Sequence, residues 1–241
     1  MNCYGKTDIG LKRSSNQDTL SLSTLPGGEI LAIVCDGMGG AKAGNVASER
    51  AAEAITKFVN NSYRYNMDYY ACESLLNNAI SSANIEVYDI SLNNPDYAGM
   101  GTTVVAAIVA KDFTVISHLG DSRAYIVGEE ITQITRDHSV VQSLVESGKL
   151  TPEEARVHPR KNVITKAVGI EENVRPENSE CNLKPGEVLM LCTDGLTNYA
   201  ELSVIKDIIN NNPMESAVDM LISEANRNGG GDNITVLLVS F

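Results

Sequence analysis

The 241-residue chain reads as an α+β protein whose antiparallel sheets are covered by pairs of helices. Short apolar, β-branched runs of strand length recur along it. Helical periodicity arrives in two pairs rather than after every strand, which argues against a regular βαβ sheet. No linker rich in Pro, Gly or Ser, no repeat and no low-complexity stretch divides the chain, so residues 1–241 are expected to form one domain.

The elements follow in order. Ile30–Cys35 is a continuous apolar run that stops at Asp36-Gly37. Ala47, Ala51, Ala54, Ile55 and Phe58 then recur at helical spacing, and Leu76, Ile80, Ala83, Val87 and Ile90 repeat the pattern. Each set makes one apolar stripe that must pack on something. Thr103–Ala110, Lys111-Asp112 and Phe113–His118 read as a hairpin, followed by a strand at Ala124–Val127. Thr151–Glu180 is polar and reads as an irregular surface excursion. Its one short helix opens at Thr151-Pro152-Glu153-Glu154, and His158-Pro159-Arg160-Lys161 follows. Val188–Cys192 is again a strand. A second helix pair spans roughly Ser203–Asn210 and Met214–Asn226, the latter started by Asn212-Pro213. Thr235–Ser240 closes the chain as a strand.

Hydrophobic residues at 43 % and charged residues at 21 % exclude a disordered chain. With no Trp and 5 % aromatics, the core is built on Ala, Val, Ile and Leu, and stacking platforms for single-stranded nucleic acid are not expected. Nineteen basic residues against 31 acidic ones give a net charge of -12. Such a chain repels nucleic acid and anionic membranes. If it handles an anion, a metal or a few basic residues must supply the positive charge. The five cysteines form no CxxC, which argues against a zinc knuckle or a disulfide framework. The N-terminus has no apolar signal core, and the longest all-apolar run, Val104–Ala110, is far short of a membrane span. A cytoplasmic protein is expected.

Aspartates stand where the apolar runs stop. Asp36 ends the first run, Gly120-Asp121 follows Val115–Leu119, Asp194 follows Val188–Thr193, and Asp232-Asn233 opens the last strand. Arg13-Ser14-Ser15-Asn16-Gln17-Asp18 adds another near the N-terminus. One Asp-Gly is an ordinary turn. Several at the ends of neighbouring strands can aim carboxylates at one point, where they repel unless cations lie between them. Hard cations such as Mg²⁺ or Mn²⁺ suit oxygen ligands, and the adjacent glycines let a backbone carbonyl join them. Two such ions, roughly 3.5–4 Å apart, can activate a water and clamp a phosphoryl oxygen. Arg13 would grip phosphate oxygens in pairs. The marks of other phosphate chemistries are missing: no Cys has an Arg six positions on, no Asp-x-Asp occurs, and there is no GxxxxGK[ST]. Gly37-Met38-Gly39-Gly40 does not continue as GxGxxG, because position 42 is Lys. His118, His138 and His158 are too few for a histidine-rich dimetal site.

In order, Arg13–Asp18, Asp36-Gly37-Met38-Gly39-Gly40, Gly101-Thr102-Thr103, Gly120-Asp121-Ser122-Arg123-Ala124, Asp194-Gly195-Leu196 and Asp232-Asn233-Ile234-Thr235 resemble the motifs of the type 2C, metal-dependent Ser/Thr protein phosphatases. The resemblance covers roughly residues 5 to 240, and the length is similar to that of the compact bacterial members. It implies a four-layer α-β-β-α sandwich, two antiparallel β-sheets flanked by pairs of antiparallel helices. It implies that Asp36 bridges two Mn²⁺ or Mg²⁺ ions, with the Gly37 carbonyl on the second and Asp194 and Asp232 on the first. Asp18 would hold water bound to the metal, Arg13 the phosphate, and Asp121 with Asp194 a third, weaker ion. Residues 151–175 would form a mobile flap beside the site. Arg160 and Lys161 in that flap are candidates for contact with an acidic phosphoprotein surface.

Two positions depart from the pattern. Gln17 stands where many members have Glu, and Met38 where many eukaryotic members have a histidine proposed as general acid. Met38 has no proton to donate, so a serine leaving group, far more basic than an aryl one, must find its proton elsewhere. The expected function is hydrolysis of phosphoserine and phosphothreonine in proteins, opposing a bacterial Ser/Thr kinase, by a monomer with no nucleic-acid partner. Two alternatives remain: a phosphoprotein-binding pseudoenzyme, separable by metal-dependent turnover, and a metal-dependent hydrolase of small phosphoesters or nucleotides, separable by comparing phosphopeptides with nucleotides.

Overall fold

The computed structural model describes residues 1–241, the side chains of residues 41 and 42 excepted. Its strands are β1 (Asn2–Asp8), β2 (Asp18–Thr24), β3 (Ile30–Met38), β4 (Gly101–Thr102), β5 (Val104–Val109), β6 (Thr114–Leu119), β7 (Arg123–Val127), β8 (Ile131–Gln133), β9 (Glu177–Cys181), β10 (Val188–Cys192) and β11 (Ile234–Ser240). Its helices are α1 (Gly40–Ser62), α2 (Tyr69–Asn93), α3 (Val140–Glu146), α4 (Pro152–Val157), α5 (Asp194–Thr197), α6 (Leu202–Asn211) and α7 (Met214–Arg227). One sheet runs β1-β11-β10-β7-β8 and the other β2-β3-β5-β6-β9, with the short β4 beside β3. All the strand pairs are antiparallel.

Side chains alternate across a strand, so each strand feeds two cores. From β3, Leu31, Ile33 and Cys35 pack under α1 and α2, while Ile30, Ala32 and Val34 face the other sheet. From β11, Ile234, Val236 and Leu238 pack under α6 and α7, while Leu237 and Val239 meet the sheet that contains β3. Three apolar slabs thus separate four layers, the expected α-β-β-α sandwich. The central slab is lined by small and β-branched residues such as Ala32, Val34, Val105 and Ala107, which lets two sheets lie close.

The helix pairs form as their stripes require. The apolar stripe of α2 buries Leu76, Ala79, Ile80, Ala83 and Val87, with a single Asn84 among them. Asp68 caps its start by accepting the Ala71 N–H at 2.8 Å, worth about 1 kcal/mol. The hairpin of β5 and β6 closes as read, with Val109 opposite Thr114 and the Ala110 N–H donating to Phe113 O at 2.9 Å. In the polar excursion, α4 begins with a reciprocal capping box between Thr151 and Glu154. The end of that excursion corrects the expectation of an irregular segment. Residues 177–181 form β9, paired with β6 from His118↔Glu177 to Thr114↔Cys181. An edge strand with one partner needs no apolar alternation, so Glu177–Cys181 carries no strand signature.

Candidate functional site

The end of β3, the β6–β7 turn, the start of α5, the loop before β11 and the loop after β1 meet at one edge of the sandwich. They line a cleft of about 480 Å³ whose walls include Arg13, Asp36, Gly37, Asp121, Asp194 and Asp232. Six of the residues singled out from the sequence are therefore in one place. Asp18 is not in the lining. It lies directly opposite Asp36 across the β2–β3 pair and is buried behind the cleft.

Each carboxylate is held by its backbone. The Asp36 N–H donates to Thr103 Oγ1 at 3.0 Å. Its carbonyl accepts from Thr102 Oγ1 at 2.9 Å and from the Thr103 N–H at 2.8 Å. Thr103 Oγ1 also meets Ser122 Oγ at 2.7 Å, which joins this frame to the turn carrying Asp121. Asp194 is the first residue of α5 and accepts from Asn198 Nδ2 at 2.9 Å. Asp232 accepts from Arg13 Nη2 at 2.9 Å. Asn233 fixes the loop on which Arg13 rides: it accepts the Gln17 N–H at 2.9 Å and donates to Ile9 O at 2.9 Å and Ser15 O at 3.0 Å.

Two glycines are demanded by close approach. A Cβ on Gly37 would lie 2.0 Å from Gly44 O, where α1 folds back on β3, and one on Gly195 would lie 1.9 Å from Asn233 O. Neither gap admits a side chain, so glycine is what lets the aspartates on either side converge.

The charges are out of balance. Burial raises the Asp36 carboxyl well above its ordinary range, reinforced by Asp18, Asp194, Asp121 and Asp232. Burial lifts Asp18 to about 7 against the pull of the Thr235 and Thr193 hydroxyls, and lifts Asp121 to about 7 with Asp194 and Asp137 adding to it. Asp194 is raised by burial and by Asp232, and lowered by Arg123. Arg13 is raised by its hydrogen bond to Asp232. Arg123 is committed to Asp137, whose carboxylate takes three of its hydrogen bonds at 2.6 to 3.1 Å. This cluster therefore lacks positive charge when metal-free.

One polar atom confirms the deficit. Asp18 Oδ2 accepts from Thr193 Oγ1 at 2.9 Å and Thr235 Oγ1 at 2.7 Å, while Oδ1 is buried with no partner. Among the described residues no three acidic, His or Cys side chains close around one point as a complete cage. The carboxylates ring an open cleft instead. That donor set fits hard cations that keep part of their water and does not fit zinc.

The other candidates fall outside the cleft. Lys161 lines a neighbouring cavity of about 470 Å³ that shares Asp121 and Asp194 with it. Arg160 lines none of the described cavities. Asn162 and Ile164 are the residues of that segment that reach the cleft. The roles of Asn233, Thr193 and Thr235 were not read from the sequence, although all but Thr193 lie within quoted motifs. Their signal is polarity beside an aspartate that ends an apolar run.

The Protein phosphatase 2C family model matches residues 11–238. The chain is 37 % identical to the protein phosphatase PhpP of Streptococcus pneumoniae, over 97 % of this chain and 95 % of that one. It superposes with a TM-score of 0.93 on the serine/threonine phosphatase Stp1 of Staphylococcus aureus, at 36 % identity over 99 % of this chain and 94 % of that one. It superposes with a TM-score of 0.84 on the catalytic domain of the serine threonine protein phosphatase PstP in complex with two manganese ions, at 30 % identity over 98 % and 96 % of the chains.

Proposed function

Since the chain belongs to the protein phosphatase 2C family and is a Ser/Thr protein phosphatase, we propose that it hydrolyses phosphoserine and phosphothreonine esters of proteins in a site built on Asp36, Asp194 and Asp232. The observation that carries this reading is the convergence of Asp36, Asp121, Asp194 and Asp232 with Arg13 on one cleft. Asp36 and the Gly37 carbonyl, with Asp194 and Asp232, are the ligands for two Mn²⁺ or Mg²⁺ ions, and Asp121 with Asp194 for a third. When bound, such ions supply charge neutralisation at the phosphoryl group and a water of lowered pKa as nucleophile.

The chain's own residues do the rest. Arg13 binds the phosphate. One arm of its guanidinium is held by Asp232, and the remaining N–H groups of the fork are free in geometry to take two phosphate oxygens. Asn233 orients Arg13 by fixing its loop at both ends. Asp18 accepts hydrogen bonds from two threonine hydroxyls through Oδ2, which leaves Oδ1 to hold a water bound to the metal. Met38 lines the cleft and has no proton to give. Residues 151–175 serve as a flap: Asn162 and Ile164 reach the cleft wall, and 168–172 are its anchored base, tied to Thr102 and Asn84. The chain acts as a single-domain monomer in the cytoplasm on phosphorylated proteins, opposing a cognate Ser/Thr kinase. No helix is long and apolar enough to cross a membrane.

The test is phosphate release from a phosphothreonine peptide in EDTA, Mg²⁺ or Mn²⁺, for the wild type and Asp36→Ala. The expected result is turnover that needs metal and vanishes in the variant. Turnover that survives EDTA or the substitution overturns the reading.

A further inference from the structure

Beside the carboxylate cleft lies a second cavity of about 740 Å³. Met38 and Ile164 line both, so the two share a wall. The rest of its apolar surface comes from Leu119, Ala167, Ile170, Val174 and Pro176. Its charges balance: Lys166 and Arg175 stand against Glu171 and Glu177. Glu177 is moreover engaged with His138. The His138 Nδ1 takes the Gly120 N–H at 3.1 Å, so Nε2 carries the proton it gives to Glu177 Oε2 at 3.1 Å. Thr165, Asn173 and Asn178 complete the lining, so a cavity with no net charge and an aliphatic side adjoins a strongly acidic cleft.

The far wall of this cavity is built into the frame of the fold. Asn84, 1 % exposed in the apolar stripe of α2, accepts the Gly169 N–H at 2.7 Å and donates to Glu171 O at 3.0 Å and Glu172 O at 3.1 Å. A buried amide with both its ends satisfied holds a loop in one conformation. Next to it, Val168 and Thr102 exchange both backbone hydrogen bonds at 2.9 and 3.0 Å, and Thr102 in turn holds the Asp36 carbonyl. The wall and the carboxylate cleft are therefore in fixed register.

We propose that this cavity is a specificity subsite for an aliphatic side chain close in sequence to the phosphorylated residue of the substrate protein, an inference that rests on the phosphatase reading above. A phosphate held at Arg13 anchors the substrate chain in the cleft. Successive Cα atoms are about 3.8 Å apart, so a residue one or two positions away passes over Met38 and Ile164 and can lower its side chain beyond them. The lining has no aromatic ring on which a base would stack and no net charge to draw an acidic or basic residue.

The experiment uses phosphothreonine peptides in which each of the three residues on either side is in turn Leu or Gly, with p-nitrophenyl phosphate as a substrate too small to reach the cavity. The wild type, Ile170→Asn and Thr165→Trp are compared. Both positions are exposed cavity residues outside the carboxylate site. The first variant makes the wall polar and the second fills the space. The expected result is a wild-type kcat/KM about tenfold higher for Leu than Gly at one position, the scale of a buried aliphatic group. Both variants should lose that preference and keep turnover of p-nitrophenyl phosphate. Equal turnover of Leu and Gly peptides by the wild type, or a preference that survives both substitutions, overturns the subsite while leaving the phosphatase reading intact. Turnover of p-nitrophenyl phosphate with none of the phosphopeptides overturns the phosphatase reading and the subsite with it.

Discussion

A single methyl group at Gly195 should pull the aspartates of the cleft out of register. The Cβ of Gly195→Ala would lie 1.9 Å from Asn233 O, and ordinary contact begins at 3.4 Å, so one backbone segment must retreat by 1.5 Å. No flexible side chain can absorb this, because the clashing atom is a carbonyl. Asn233 is also tied by three hydrogen bonds to the loop that carries Arg13. The retreat therefore separates Asp194 from Asp232 and shifts Arg13 with it. Overpacking of this kind costs about 1–3 kcal/mol, which in a chain of this size lowers Tm by roughly 2–12 °C. Misplacing reacting groups by about 1 Å costs on the order of 100-fold in rate. The assay is thermal melting with EDTA or Mn²⁺, paired with phosphate release across a Mn²⁺ titration. Gly128→Ala is the control: like Gly195 it has no positive φ, and its Cβ would meet only the flexible side chain of Glu187, at 3.1 Å. If Gly195→Ala melts lower than wild type yet responds to Mn²⁺ at the same concentration and with the same rate, the coupling of the two aspartates through this contact is refuted.

Three further outcomes follow from the same charges. Because burial raises Asp36, Asp18, Asp121 and Asp194, the metal-free fold binds their protons more tightly than the unfolded chain. That stabilisation is complete below the ordinary carboxylate pKa and is lost as pH rises through about 7, the value for Asp18 and Asp121. His138, which burial lowers, acts in the opposite sense but is one group. Tm in EDTA should therefore fall from pH 5 to pH 8, and Mn²⁺ should abolish the fall; a Tm in EDTA that rises over this range contradicts the charge deficit. Asp18→Asn removes a buried charge and places an amide N–H₂ where Oδ1 lacks a partner, so it should raise Tm in EDTA at pH 8 and shrink the Mn²⁺ shift in melting scans. Arg13→Lys keeps the charge and loses the fork, so kcat/KM should drop by about tenfold or more at unchanged Tm, and equal kinetics would remove Arg13 from phosphate binding.

The strands that the sequence announces are the interior ones: β3, β5 and β6 in one sheet, β7, β10 and β11 in the other. In a four-layer sandwich these are covered on both faces and read as unbroken apolar runs. The strands it hides are the edges, β1, β8, β2 and β9, besides the two-residue β4. In β2 the reason is specific. Leu20 and Leu22 face the central core, but Thr19, Ser21 and Ser23 face α1, where they meet Ser48, Thr56 and Asn60, each pair at 2.9 Å. With a polar ladder on one face and only two leucines on the other, this half-buried edge strand looks like a loop. The site divides the same way. Asp36, Asp194 and Asp232 stand out because they interrupt interior runs. Asn233 and Asn84 do not, because their partners are backbone atoms more than 80 residues away in sequence. What the sequence marks is the chemistry that binds a ligand; what it conceals is the amide that holds a loop still, since any backbone carbonyl can be its partner and none leaves a signature. That asymmetry is why Arg13 could be named from its motif, whereas the asparagine that aims it had to be found in the fold.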